Sequence, residues 1–176
     1  MLIAFEGVNA SGKTTQAKML AKKINALYFH AVEDSPYQET TINHYLNSYQ
    51  DKEDCVNFLM LLKLYEKKIL PNIGKDIIVE NYIDGMTVGL QARGIKPTKC
   101  FDLIPKPDIS FVLLIDKNEA QKRRKHVDVE LLDKEYHAFI KYAKNNPHVV
   151  LVNATRNPHE VSSYISSVLD NLLVKT

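Results

Sequence analysis

The sequence predicts an α/β fold, a three-layer sandwich in which a five-stranded parallel sheet is covered by helices on both faces. Three observations carry this. Strand-like runs alternate with helical patterns along the chain, the order expected of parallel strands joined by crossover helices. The run Ile109-Ser110-Phe111-Val112-Leu113-Leu114-Ile115 is nearly all apolar, as a strand buried on both faces must be. The first run, Leu2–Phe5, leads into Gly7-Val8-Asn9-Ala10-Ser11-Gly12-Lys13-Thr14, which fits the phosphate-loop pattern G-x-x-x-x-G-K-S/T.

The elements follow in order. Strands are expected at Leu2–Phe5, Ala26–Phe29, Asp76–Val79, Ile109–Ile115 and His148–Val152, where short apolar or β-branched runs are bounded by polar turns. The helical pattern Thr15–Ile24 follows the loop, and Thr40–Asn47 is a shorter one. Asp54–Leu70 is long, and Pro71 is expected to end it. Tyr82–Ala92 precedes Gly94, a C-terminal cap. Glu119–Lys125, Glu130–Lys144 and His159–Leu173 complete the set. One domain spanning residues 1–176 accommodates them.

The loop's residues suit one task. Gly7 and Gly12 allow a tight turn whose successive N–H groups, with those of Asn9, Ala10, Ser11 and Thr15, can face one anion. The helix that follows adds the positive end of its dipole. Lys13 can reach the β- and γ-phosphates, and the Thr14 hydroxyl can take Mg²⁺. A nucleoside triphosphate is the expected ligand, and Lys13 is expected to be exposed in the empty loop. A net charge of +2 makes no case for a nucleic-acid surface. No apolar stretch is long enough to span a membrane. The two cysteines, Cys55 and Cys100, have no metal-ligand spacing. The first strand runs straight into the loop without a signal peptide, so the cytoplasm is the expected compartment.

Phe5-Glu6-Gly7-Val8-Asn9-Ala10-Ser11-Gly12-Lys13-Thr14-Thr15-Gln16 resembles the phosphate loop of the thymidylate kinase family of nucleoside monophosphate kinases. The resemblance continues through Ile42–Tyr49, Val79–Gly94, Lys106-Pro107-Asp108 and Val152-Asn153-Ala154. It implies a P-loop kinase fold that transfers phosphate from ATP to a nucleoside monophosphate, most directly dTMP to dTDP. The departures concern the acceptor. Asn9 stands where the family has Asp, and Glu80-Asn81-Tyr82 where it has Asp-Arg-aromatic. The segment Glu33–Pro36 lacks an expected arginine, and Leu64 replaces one that reads the base. The resemblance makes Glu80 a water-mediated Mg²⁺ ligand or an acceptor-orienting group. It makes Asn9, Glu33, Tyr82 and Gln91 acceptor contacts; Tyr82 either stacks beneath the base or belongs to the core, and Gln91 either faces the base or caps and packs.

The basic run Lys122-Arg123-Arg124-Lys125-His126 lies where the family has a mobile lid, near residues 117–130. Phosphoryl transfer needs positive charge near the transferred group. Arg123 is therefore read as touching the adenine or the phosphates, and Arg124 the transferred phosphoryl group. The alternative is the solvated face of a helix. Asp54–Leu70 is apolar around most of its circumference, which suggests burial or a subunit contact, and the resemblance favours a homodimer. Three readings remain: a nucleoside monophosphate kinase, a kinase for a nucleoside or other nucleotide, and a nucleotide-binding protein without catalysis. Loss of the acceptor-site charges predicts weak dTMP binding unless Lys63, Arg93 or the lid compensates.

Overall fold

Five parallel strands, Leu2–Gly7 (β1), Leu27–His30 (β2), Ile77–Glu80 (β3), Ile109–Leu114 (β4) and Val149–Asn153 (β5), form one sheet in a computed structural model of the protein. It describes residues 1–31, 34 and 53–174. The strand order is β2-β3-β1-β4-β5. Register pairs Phe5 with Glu80 on one side and with Phe111 on the other, and Gly7 with Leu113. β3 and β4 are buried along their whole length, which explains their unbroken apolar runs. The helices are Lys13–Ile24 (α1), Glu53–Leu64 (α2), Ile83–Ala92 (α3), Lys117–Arg123 (α4), Val129–Ala143 (α5) and Pro158–Leu173 (α6).

Alternate residues of β1 face opposite sides of the sheet, as the pleat requires. Ile3 and Phe5 join a core completed mainly by α1, α4, α5 and α6, while Ala4 joins one built from α2, α3 and the turn at Phe101–Ile104. Chain order and parallel pairing bring Gly7, His30, Glu80, Leu114 and Asn153 to the same edge of the sheet. Ligands of open α/β sheets bind beyond that edge.

Strand positions agree with the sequence to within two residues at either end, and helix ends follow their caps. Asp116, Asp128 and Asn157 each accept backbone N–H bonds at a helix start, so α4 begins two residues before the expected Glu119. Gly94 takes a left-handed backbone (φ 79°) and closes α3 as expected. Pro71 does not stop a single α-helix at Leu70. The helix changes at Leu64 into a π turn over Tyr65–Ile69 and a 3-10 turn over Leu70–Asn72, which accommodates the proline. A 3-10 turn at Lys99–Leu103 went unpredicted. The expected helix Thr40–Asn47 and the expected contact Glu33 lie outside the described residues.

Candidate active site

The phosphate loop is shaped by two close approaches. Gly7 has φ 128°, and a Cβ there would fall 2.1 Å from the Leu113 carbonyl oxygen on β4, so only glycine fits. Ala10 (φ 63°) and Gly12 (φ 89°) also take left-handed backbone, curling the loop into a concavity of the kind that binds anions. The expectation that Lys13 is exposed fails. It is 9% exposed, and its ammonium donates to the carbonyls of Gly7 (3.0 Å) and Val8 (3.1 Å). Burial lowers the proton affinity of Lys13, and carboxylates, Glu80 first, oppose that shift.

Glu80 ends β3 almost fully buried. It accepts hydrogen bonds from the Thr14 hydroxyl (2.8 Å) and the Tyr28 hydroxyl (2.8 Å), and His30 Nε2 lies 3.8 Å away. The sequence-predicted metal pair, Thr14 and Glu80, is therefore in direct contact.

Two cavities flank the loop. One, of about 380 Å³, is lined by Ala10, Ser11, Gly12 and Thr15 of the loop side, by Arg123 of α4, and by Ala154, Arg156 and Pro158 after β5. Arg123 is fixed there by bonds to the Ala154 carbonyl (2.9 Å) and the Glu119 carboxylate (2.8 Å). The other, of about 270 Å³, is lined by Gly7, Asn9 and Lys13 together with Asn57, Met60 and Asn81. Its remaining walls are Gly85, Met86, Gly89 and Arg93 of α3 and Glu135 and Phe139 of α5. Burial raises the proton affinity of Glu135, partly offset by Arg93 and Lys13.

A buried carboxylate underlies this second cavity. Glu6 is fully buried, and neither of its oxygens makes a hydrogen bond of good geometry. A Cβ at Gly85 would fall 2.1 Å from Glu6 Oε2, so glycine at 85 makes room for the carboxyl. Burial and then Asp84 raise the proton affinity of Glu6 well above an ordinary glutamate; nearby amides of Gly85 and Tyr82 and the Lys13 ammonium offset this in part.

The family model described as thymidylate kinase matches residues 5–165. The chain belongs to the thymidylate kinase family. It is similar to the probable thymidylate kinase of Methanocaldococcus jannaschii, 27% identical over 98% of this chain and 97% of that one. It is 30% identical to the probable thymidylate kinase of Methanococcus vannielii, over 90% of each chain. Among solved structures, the thymidylate kinase of Ehrlichia chaffeensis superposes with a TM-score of 0.72 at 25% identity, covering 97% of this chain and 98% of that one.

Several positions assigned through the thymidylate kinase resemblance lie outside the two cavities. Tyr82 is fully buried among apolar side chains, and its hydroxyl donates to the Pro105 carbonyl (3.0 Å). It is a core residue and lines neither cavity. Gln91 is exposed on α3 and also lines neither. The face of α3 turned to the cavity carries Gly85, Gly89 and Arg93, four residues apart, and Gln91 is more than half a turn from Gly89. Leu64 is buried in the core with Leu61 and Tyr82, so position 64 does not face the acceptor side. Arg124 is exposed and lines neither cavity. Sequence reasoning missed Asn57, Glu135, Gly89 and Arg156. The four-residue spacing of Gly85, Gly89 and Arg93 was a readable signal for one helix face.

Proposed function

We propose that this chain transfers the γ-phosphoryl group of ATP to thymidine monophosphate, giving ADP and thymidine diphosphate. The observation that carries the reading is the position of one phosphate loop between two cavities, with Lys13 beside the junction. A protein that only binds a nucleotide needs one such cavity, whereas a transferase needs two that meet at the transferred group.

The donor base takes the cavity with Arg123 and Arg156, and the loop from Gly7 to Thr15 takes the phosphates. Lys13 exchanges the Gly7 and Val8 carbonyls for phosphate oxygens, where its charge helps as negative charge spreads over the moving group. Thr14 and Glu80 offer two hard oxygens 2.8 Å apart, which suits Mg²⁺, an ion that takes one or two protein oxygens beside phosphate and water. When bound, the ion neutralises phosphate charge. The segment 117–130 serves as a lid that brings Arg124 to the closed site. Asn9, Asn57, Asn81 and Arg93 hold the acceptor, with Arg93 replacing part of the charge lost at position 81. Lys63 has no such role: it faces Glu66 (3.4 Å) and lines neither cavity.

The neutral amides at positions 9 and 81 also favour a second reading, a kinase whose main acceptor is another nucleotide or a nucleoside. ATP consumption against a panel of nucleoside monophosphates and nucleosides tests both. Thymidine monophosphate should support the fastest turnover. Faster turnover with a nucleoside moves the acceptor, and no acceptor-dependent turnover leaves a binding protein.

We also propose a homodimer through the helical segment 54–70. Leu59 (46% exposed) and Leu70 (48%) leave apolar surface there, and Ile73 (67%) extends it. Among the described residues no helix is long and apolar enough to cross a membrane. Cys55 and Cys100 form no disulfide, which fits a reducing compartment, and we place the protein in the cytoplasm.

A further inference from the structure

Glu80 stands where the family has aspartate, and its longer side chain needs more holding. The extra methylene adds a carbon–carbon bond of about 1.5 Å. It also adds a rotatable bond, whose freedom is given up when the side chain is ordered. Two hydroxyls order the carboxylate, one on each oxygen. Thr14 Oγ1 of α1 donates to Oε1 (2.8 Å), and the Tyr28 hydroxyl of β2 donates to Oε2 (2.8 Å). An aspartate, drawn back by one bond, could not keep both contacts in place, because the two donors come from separate elements.

The sheet explains how Tyr28 reaches the site. Tyr28 pairs with Ile78, two residues before Glu80, so its side chain and that of Glu80 lie on the same face of the sheet. The long ring spans the remaining distance toward the ligand edge and brings its hydroxyl to the carboxylate. Helix α1 braces the arrangement. Thr14 and Lys18 are four residues apart on it and share a face. Thr14 meets the carboxylate, while the Lys18 ammonium lies 5.4 Å from the centre of the Tyr28 ring, a cation–π contact. Tyr28 lines neither cavity, so any effect it has on the chemistry passes through Glu80.

We propose that Tyr28 is a positioning residue for the Thr14–Glu80 metal pair: by occupying Oε2 it keeps Oε1 turned to Thr14, and so lets a glutamate serve at position 80 in place of the family's aspartate. The proposal rests on the kinase reading above, on the part of it that concerns ATP and Mg²⁺ and not on the acceptor. Partners that hydrogen-bond a metal-binding carboxylate from outside fix its orientation and set metal affinity.

The test measures Mn²⁺ binding to the protein with ADP by electron paramagnetic resonance, beside a thermal melt, in the parent, Tyr28→Phe, Glu80→Asp and the double variant. Mn²⁺ favours the same octahedral oxygen sites as Mg²⁺. Phenylalanine keeps the ring and its packing, so Tyr28→Phe should fold. It should weaken Mn²⁺ binding by about 10- to 100-fold and raise the Mg²⁺ concentration for half-maximal rate in parallel. The Michaelis constant for thymidine monophosphate should not change. In the Glu80→Asp background the same substitution should alter Mn²⁺ affinity by less than about threefold, because the contact it removes is already lost. Equal Mn²⁺ affinity in the parent and Tyr28→Phe, even with a lower melting temperature, overturns the inference and leaves the kinase reading standing; the bond would then only satisfy a buried carboxylate. A full loss on adding Tyr28→Phe to Glu80→Asp also overturns it, since Tyr28 would be acting elsewhere. A parent that binds no Mn²⁺ with ADP removes the metal pair itself, and the inference with it.

Discussion

Replacing Lys13 by methionine keeps the stem and removes the charge, and its effects on stability and on rate can be separated. In the empty protein the ammonium makes two hydrogen bonds, to the Gly7 and Val8 carbonyls. Losing them costs about 1–3 kcal/mol together, at about 0.5–1.5 kcal/mol each. Opposing this, burial disfavours the charged form of Lys13, and that penalty disappears with the charge. The net loss is therefore below about 3 kcal/mol, against a total stability of about 5–15 kcal/mol. The variant should fold, with a melting temperature lower by no more than about 10 °C. Its rate should fall far more. Removing one preorganised donor from a reacting oxyanion costs about 100- to 1000-fold in kcat, and an ammionium-sized full charge belongs at the upper end. The assay is ADP release at saturating ATP and thymidine monophosphate, beside a thermal melt. A folded variant whose kcat stays within about tenfold of the parent would refute the placement of Lys13 at the transferred group.

The remaining predictions separate residues that sequence alone treats alike. Arg123→Ala should raise the Michaelis constant for ATP by about tenfold or more, because a charged side chain already fixed in the donor cavity is lost. Arg124→Ala should lower kcat and leave ATP affinity unchanged, since an exposed lid arginine acts only on closure; an unchanged kcat would make it a solvated charge. Sedimentation at micromolar concentration should show a dimer that Leu59→Asp dissociates, and a monomeric parent would end the proposed interface. For Glu6, whose proton affinity is raised on folding, the folded state holds the proton longer than the unfolded state. Its stability contribution is thus intact below the unfolded glutamate range and lost as pH rises through the folded value. Glu6→Gln should therefore raise the melting temperature at pH 7 more than at pH 4.5, and an equal change at both would show that Glu6 is not protonated on folding.

The sheet was legible because its β3 and β4 strands are buried along their length, so that Ile77–Val79 and Ile109–Leu114, the latter broken only by the buried Ser110, read as apolar runs. The phosphate loop was legible because its residues are contiguous in sequence, with a glycine in left-handed backbone at position 12 and a lysine at a helix start. What the sequence left open depended on phase or on distant partners. Gln91 and Arg93 are two residues apart on the same helix, and only the packing of α3 decides which of them faces the cavity. Tyr82 has one hydroxyl and one apolar ring whether it stacks on a base or fills a core; its partner, Pro105, lies 23 residues away. Lys13 was expected in solvent because the motif names its neighbours but not the Gly7 and Val8 carbonyls that its ammonium meets.

The acceptor site has changed its chemistry, and part of that change follows from the core. At position 64 a guanidinium would enter the buried apolar cluster that also holds Leu61 and Tyr82, where an unpaired charge is costly. In this fold, leucine there is a packing residue. Asn81 has a left-handed backbone (φ 57°), a conformation in which asparagine is several-fold favoured over most residues, and its amide meets His30 Nε2 at 3.2 Å. An arginine there would carry more charge but would fit that turn less well. Among the described residues, the cations that line the proposed acceptor cavity are Lys13 and Arg93, with the Glu135 carboxyl beside them. A dianionic monophosphate meets less positive charge than two additional arginines would supply, at about 1.5–3 kcal/mol for each charge-assisted bond lost. The cavity instead offers neutral amides at Asn9, Asn57 and Asn81, which hydrogen-bond with little dependence on ionic strength. Acceptor binding should accordingly be weaker than in a relative with the full arginine set, and less sensitive to salt.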